Sequence, residues 1–373
     1  MNKPEHATGI PLKRGDLRPV QRVPLLVLGF AGLVVGAGAG LARLGWNVPA
    51  TMLAASGLHG PLMICGFFGV VIALERAVAV GRHWAYLGPL LSGAGGIALI
   101  AGALVPGVWL FVAGSLVFLA ASAAIWNRQK ALFTVVLALG AACWAAGNVL
   151  WALGSQAADV VTWWFAFLIL TIAGERLELS RFLAPSHGAK WSFVAIIVLI
   201  VAGLIGASTA WGSQAFAAGL LALSLWLLTQ DIARRTVRDK GLTRYIAVCL
   251  LSGYAWLAIA SGIMLAAGGL SPGAPSHDAA MHALGLGFVF SMVFGHAPII
   301  VPAVLRVNLP YHPAFYGPLA LLHLSLLARV AGDAAGDPVW TRAGGLLNAL
   351  ALAAFIAVMA SAGVRGRRKP APR

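Results

Sequence analysis

Two histidines stand out among the residues that could do chemistry. His59 lies in Gly57-Leu58-His59-Gly60-Pro61-Leu62-Met63, and His282 in His277-Asp278-Ala279-Ala280-Met281-His282-Ala283. Each sits just inside the start of a long apolar run, and an ionisable group at such depth points to function. At 1.5 Å per residue both lie about 6–8 Å below the same boundary of the hydrocarbon, so they can face each other across a bundle. Two imidazoles at one height suit the axial positions of a haem iron. Gly57, Gly60, Gly285 and Gly287 would let a flat macrocycle approach the backbone, and Phe67, Phe68, Phe288 and Phe290 would cover it. The plainer alternative is that each histidine bonds a neighbouring helix.

A second pair is weaker. His296 lies nine residues before the inner end of its apolar run, and His323 nine residues after the inner start of the next. Both would then be about 14 Å from the inner face on antiparallel neighbours. There they would form a second metal or haem site, with copper as one candidate, or a structural contact. His282 and His296 are 14 residues apart, near four turns, which places them on one helix face. Glu75, Arg76, Glu175, Arg176 and Glu178 are the other charges at depth. Unpaired charges there are costly, so pairs are expected, Glu75 with Arg176 and Glu175 with Arg76. They read as a structural clamp or as a proton entry. His277 reads as a helix-start residue, with a second outer ligand as the alternative. His83, His187 and His312 fall in inner loops and His6 in a basic tail.

The elements that must position these groups are set by composition. The chain has 373 residues, 60% hydrophobic and only 10% charged, with mean hydropathy +0.88. A soluble protein carries about 25% charged residues, so lipid must cover this one. A crossing takes about 20 apolar residues. Twelve runs qualify: Val23–Leu41, Ala54–Val80, Trp84–Leu104, Gly107–Trp126, Ala131–Leu153, Asp159–Leu179, Trp191–Trp211, Ala215–Ile232, Tyr245–Leu270, Asp278–Leu305, Ala314–Ala331 and Val339–Val364. The expected fold is an all-α integral membrane protein. A membrane domain at 23–364 is flanked by basic tails at 1–22 and 365–373.

Net charge is +15. With the N-terminus inside, 21 Lys and Arg fall on the inner side, while Arg43, Arg329 and Arg342 alone fall outside. That split predicts cytoplasmic termini and accounts for the basic balance without nucleic acid. No cleavable signal peptide is evident. Cys65, Cys143 and Cys249 lie in apolar runs without CxxC spacing, so neither a disulfide framework nor a zinc site is expected. No GxGxxG follows a strand.

Two loops share H-x-A-aromatic-x-G-P-L: His83–Leu90 and His312–Leu319. Glu75-Arg76 and Glu175-Arg176 echo each other at the inner ends of the second and sixth runs. Runs two, six and ten thus look equivalent. The expectation is three four-helix pseudo-repeats, about 23–126, 131–232 and 245–364, related by an axis along the membrane normal.

Twelve spans with histidines on the second and tenth resemble the catalytic subunit of the haem–copper oxidase superfamily. His59 in His-Gly-Pro-Leu-Met-Ile is similar to the start of that family's second helix, and His282 would be its partner on the tenth. The resemblance implies a low-spin haem, of b-type, held by these two residues. Spans six and seven lack the family's copper histidine triad, so an oxidase or nitric oxide reductase centre is not implied. His282-Ala283-Leu284-Gly285 followed by Gly295-His296 resembles NnrS-like proteins, bacterial membrane proteins linked to haem, copper and the nitric oxide response. That resemblance implies a haem protein of the bacterial inner membrane, with a small gas ligand or a redox partner. A secondary transporter with internal repeats and a haem- or metal-handling assembly factor are the alternatives.

Overall fold

The computed structural model describes residues 15–180, 183, 186–269 and 271–368. Most of both basic tails, Arg181 and Leu270 lie outside these residues. The protein is all-helical, with 86% helix and no strand among the described residues. The principal helices are α1 Pro19–Arg43, α2 Ser56–Val80, α3 Leu87–Ile100, α4 Leu104–Arg128, α5 Leu132–Ala152 and α6 Ala157–Ser180. They continue as α7 His187–Ile205, α8 Ala210–Gln230, α9 Gly241–Ala266, α10 Pro275–Leu305, α11 Pro313–Ala335 and α12 Pro338–Gly366.

All but α3 are long and apolar enough to cross a membrane, which makes eleven among the described residues. The outward faces carry Val27, Val34, Leu116, Leu225 and Leu324, each about half exposed or more. An apolar surface of this extent is stable only against lipid. The chain is a multi-pass membrane protein.

The third expected run is shorter than its hydropathy suggested. Its first residues form a 3₁₀ turn, His83–Tyr86, and Gly102 at φ 82° ends the helix. The 14 residues of α3 span about 21 Å, short of the roughly 30 Å hydrocarbon. Four glycines weaken α3 as a helix but allow close packing. A Cβ on Gly95 would stand 3.0 Å from the Gly107 carbonyl of α4. The expected run Trp191–Trp211 is likewise corrected: α7 stops at Ile205, and Trp211 belongs to α8. Gly206 is the reason, because its Cα leaves room for Gly212 to pack directly on it.

Both ends of the described chain lie at one end of the bundle, called here the termini end. Arg22, 1% exposed, donates to Asp16 at 2.9 Å and to the Val304 carbonyl at 2.7 Å. The Tyr86 hydroxyl donates to the same Asp16. Gly366 packs on Asn308. The two matching loops are alike in structure as well as in letters. His83–Tyr86 and Pro313–Phe315 are both 3₁₀ turns, each led by an extended residue and each opening a helix at this end.

The helices that carry the histidine pair are not uniform. In α2 a short α stretch at His59–Pro61 passes into a π-helix, Leu62–Phe68, before α-helix resumes. In α10 the α stretch Pro275–His282 passes into a π-helix, Ala283–Phe290. Each histidine therefore stands just ahead of a wide turn, a feature common at functional sites.

Candidate functional site: a cavity between two histidines

Helices α2 and α10 bring His59 and His282 together at the end opposite the termini. The ring centroids are 6.1 Å apart and the planes differ by 18°. Nδ1 of His59 lies 2.7 Å from the Gly36 carbonyl of α1, and Nδ1 of His282 2.8 Å from the Asp278 carbonyl one turn back. A carbonyl only accepts, so each Nδ1 carries the proton and each Nε2 keeps its lone pair. A backbone acceptor of this kind fixes the tautomer and orientation of metal-binding histidines. Gly40 makes the approach possible, because a Cβ there would meet the His59 ring at 2.8 Å.

The rings open on a cavity of about 510 Å³. Its lining includes Gly57, Gly60 and Gly285, and no atom would touch a Cβ on Gly57 or Gly60 within 4 Å. Phe68 and Phe290 form its floor. Gly287 is not part of it: Trp256 fills the space beside it, 2.5 Å from where a Cβ would lie. Phe67 and Phe288 are also absent from the lining; Phe67 stacks parallel to Phe290 at 6.1 Å. The π turns account for these differences, since they shift every residue after the histidine relative to a 3.6-residue period.

One wall is fixed by a buried network. The Trp164 indole donates to Asn148 Oδ1 at 2.9 Å and the Cys65 thiol to the same oxygen at 3.3 Å. Trp144 donates to Cys65 Sγ at 3.4 Å, and Asn148 Nδ2 donates to the Phe111 carbonyl at 3.1 Å. Helices α2, α4, α5 and α6 are locked together behind the cavity.

The mouth is cationic. Arg329 of α11 forms a forked pair with Asp278, at 2.9 Å and 3.0 Å to Oδ2 and 3.2 Å to Oδ1. Asp278 Oδ1 also lies 3.4 Å from His282 Nδ1. Arg43 is exposed at the rim. Arg342 lies 5.3 Å from the Trp46 ring centre and donates to the Gly45 carbonyl at 3.1 Å. The three arginines that departed from the charge asymmetry thus all sit at this end, two of them on the cavity. Their exceptional placement was a signal for the site that motif reading passed over.

The other candidates are placed differently from expectation. His296 and His323 do not share a site. His323 Nδ1 accepts from Trp256 at 3.0 Å, and Trp256 abuts Gly287, nine residues before His296, or about 13 Å along the helix. His296 Nδ1 bonds the Met292 carbonyl at 2.7 Å. The eight-residue π segment breaks the four-turn register with His282, and His296 does not line the cavity. Glu75, Arg76, Glu175 and Arg176 gather within electrostatic reach of one another. The expected pairs, Glu75 with Arg176 and Glu175 with Arg76, are not formed within 4 Å among the described residues. Arg76 instead points at the Phe118 ring, 5.6 Å from its centre, and Arg176 Nε is buried without a partner. No group of three His, Cys, Asp or Glu side chains converges on a metal position among the described residues.

The two imidazoles are spaced to hold a metal between them. Two metal–imidazole bonds of about 2 Å, plus roughly 1.1 Å from each nitrogen to its ring centre, put coaxial ring centres about 6 Å apart. The rings stand at that spacing, with both Nδ1 atoms committed to carbonyls, glycine in the lining of the cleft and arginine at its mouth. Fold and site together define a polytopic helical membrane protein with a histidine-flanked cavity near one end. The chain belongs to the family described as Domain of unknown function (DUF8744), which matches residues 22–364. No curated protein matches the sequence.

Proposed function

We propose that this is a membrane haem protein in which His59 and His282 would hold the iron. The observation that carries the reading is the 6.1 Å ring spacing combined with both Nδ1 atoms committed to carbonyls. A b-type haem bound there supplies one-electron redox chemistry. Gly57, Gly60 and Gly285 admit the ring, Phe68 and Phe290 exclude water beneath it, and Arg43 and Arg329 face its carboxylates at the mouth. A haem that His59 and His282 would both hold would suit electron transfer better than binding of nitric oxide or another gas. The inferred setting is the bacterial inner membrane, with lipid around the bundle and a redox partner at the cavity end. Helix α3 runs antiparallel along α4, with Gly95 against Gly107 and Gly88 against Gly114. This packing and the paired 3₁₀ loops support a reading in which α3, with its leading turn, makes a short twelfth crossing, both termini are cytoplasmic and the four-helix unit repeats. The resemblance to NnrS-like proteins points the same way.

The transporter alternative keeps one observation, a cavity open at one end with an ion pair on its wall. A visible spectrum of the purified chain separates the two. Haem gives a sharp Soret band and a reduced-state α band, whereas a colourless protein that cannot be loaded with haemin favours transport.

A further inference from the structure

A second hollow lies at the termini end, where α8 turns into α9. Its place is fixed by Tyr245 near the start of α9, whose ring packs edge-on to Tyr316 at 5.2 Å and beside Phe315 at 5.6 Å. Phe315 closes the second of the paired 3₁₀ turns at this end. Helix α8 stops at Gln230 because Asp231 is extended, with ψ 148°, and its Oδ1 accepts the Ala233 amide at 2.7 Å. The turn lays Arg234 and Arg235 back beside the end of α8. With Leu183, Thr229 and Gln230 they bound a space of about 130 Å³. It is about a quarter the size of the histidine cavity, too small for a macrocycle.

The polar side of this hollow is cationic. Arg234 Nη1 donates to the Thr229 carbonyl, which holds the guanidinium over the open end of α8 and spends one of its five N–H donors. Arg235 is exposed and makes no hydrogen bond or ion pair among the described residues. Arg238, Lys240 and Arg244 follow in the same stretch. The acids nearby are turned elsewhere. Asp231 is 1% exposed, Glu178 is within electrostatic reach of Arg76, and Asp239 does not bound the hollow.

The other side is apolar and continues into the bilayer. Leu183 forms part of the wall. Leu225, 55% exposed, stands four residues before Thr229, on the same face of α8 and one turn deeper. Two arginines above a lipid-facing leucine match an amphiphile with an anionic head. The forked donors of arginine suit phosphate oxygens, and basic pockets between helices at a membrane surface are a recurrent headgroup site.

We propose that this hollow binds one anionic phospholipid, with its phosphate on Arg234 and Arg235 and an acyl chain along Leu225. The site does not depend on what the histidine cavity holds.

A phosphatidylglycerol with a diazirine in its acyl chain, added to the full chain in phosphatidylcholine nanodiscs, tests it. Photolabelling at Leu225 should exceed that at Leu90 of α3, which is exposed to lipid at the same end, several-fold. A phosphatidylcholine analogue should label the two alike. Unlabelled phosphatidylglycerol should compete, and inorganic phosphate should not. Arg235→Gln breaks no hydrogen bond within the described protein and should cut Leu225 labelling several-fold. Arg234→Gln with Arg235→Gln should bring it to the Leu90 level. Arg238→Gln with Lys240→Gln removes the same charge from the same stretch outside the hollow and should keep most of the labelling. Equal labelling of Leu225 and Leu90 by the phosphatidylglycerol probe, or equal losses in the two double variants, overturns the site. Competition by inorganic phosphate overturns the lipid as its occupant.

Discussion

Gly40→Ala should damage the site without replacing any residue that binds the cofactor. The new Cβ would lie 2.8 Å from His59 Nδ1 and 2.9 Å from Cε1, against 3.4–4 Å for ordinary contact. The ring must retreat by about 0.6 Å, which stretches its 2.7 Å bond to the Gly36 carbonyl past the usual limit of about 3.2 Å. Crowding of this kind costs about 1–3 kcal/mol, and the loss of an orienting partner behind a metal-bound histidine lowers affinity about 10- to 100-fold. The two estimates agree, because a tenfold change is about 1.4 kcal/mol. Titrating the apo-protein in nanodiscs with haemin, followed at the Soret band, should therefore give a 10- to 100-fold weaker Kd. Gly262, with nothing within 4 Å of its Cβ position, is the control, and Gly262→Ala should bind as the parent does. Equal affinity in Gly40→Ala and Gly262→Ala would refute the claim that His59 is held in place for ligation.

His59→Ala and His282→Ala should each abolish the six-coordinate low-spin spectrum, whereas His323→Ala, whose ring accepts from Trp256 instead, should leave it intact. Arg329→Met leaves Asp278 beside the cavity without its forked partner and should cost about 2 kcal/mol in thermal stability. Arg329→Met with Asp278→Asn should recover most of that loss, and failure to recover would mean the pair is not what holds α10 to α11. Asn148→Ala orphans the Trp164 indole behind the cavity, at about 1–3 kcal/mol, and should lower the melting temperature and broaden the Soret band. Reporter fusions at the two ends should both report the cytoplasm; opposite sides would remove α3 as a crossing.

Hydropathy located the helices because burial in lipid is a property of composition summed over about 20 residues. Helix α3 is shorter than its hydropathy suggests, because a 3₁₀ turn and four glycines shorten a run that is apolar throughout. Equal depth on parallel runs was enough to bring His59 to His282, since height follows from residue count before any packing is known. Side-chain direction was not legible in the same way. The π turns after each histidine leave no mark in hydropathy, and they removed Gly287, Phe67 and Phe288 from the cavity. The Arg329–Asp278 pair joins residues 51 apart, and only tertiary packing specifies it. The charges at Glu75, Arg76, Glu175 and Arg176 lie within electrostatic reach of one another, but matching positions do not fix which atoms touch. Arg76 turned to Phe118.

The central claim is that one haem iron is held between His59 and His282, and electron paramagnetic resonance of the oxidised, purified chain tests it most directly. Imidazole planes only 18° apart should give a rhombic low-spin ferric signal, lost in both His59→Ala and His282→Ala. A high-spin axial signal, or protein that takes up no haemin and shows no ferric signal, would contradict the account.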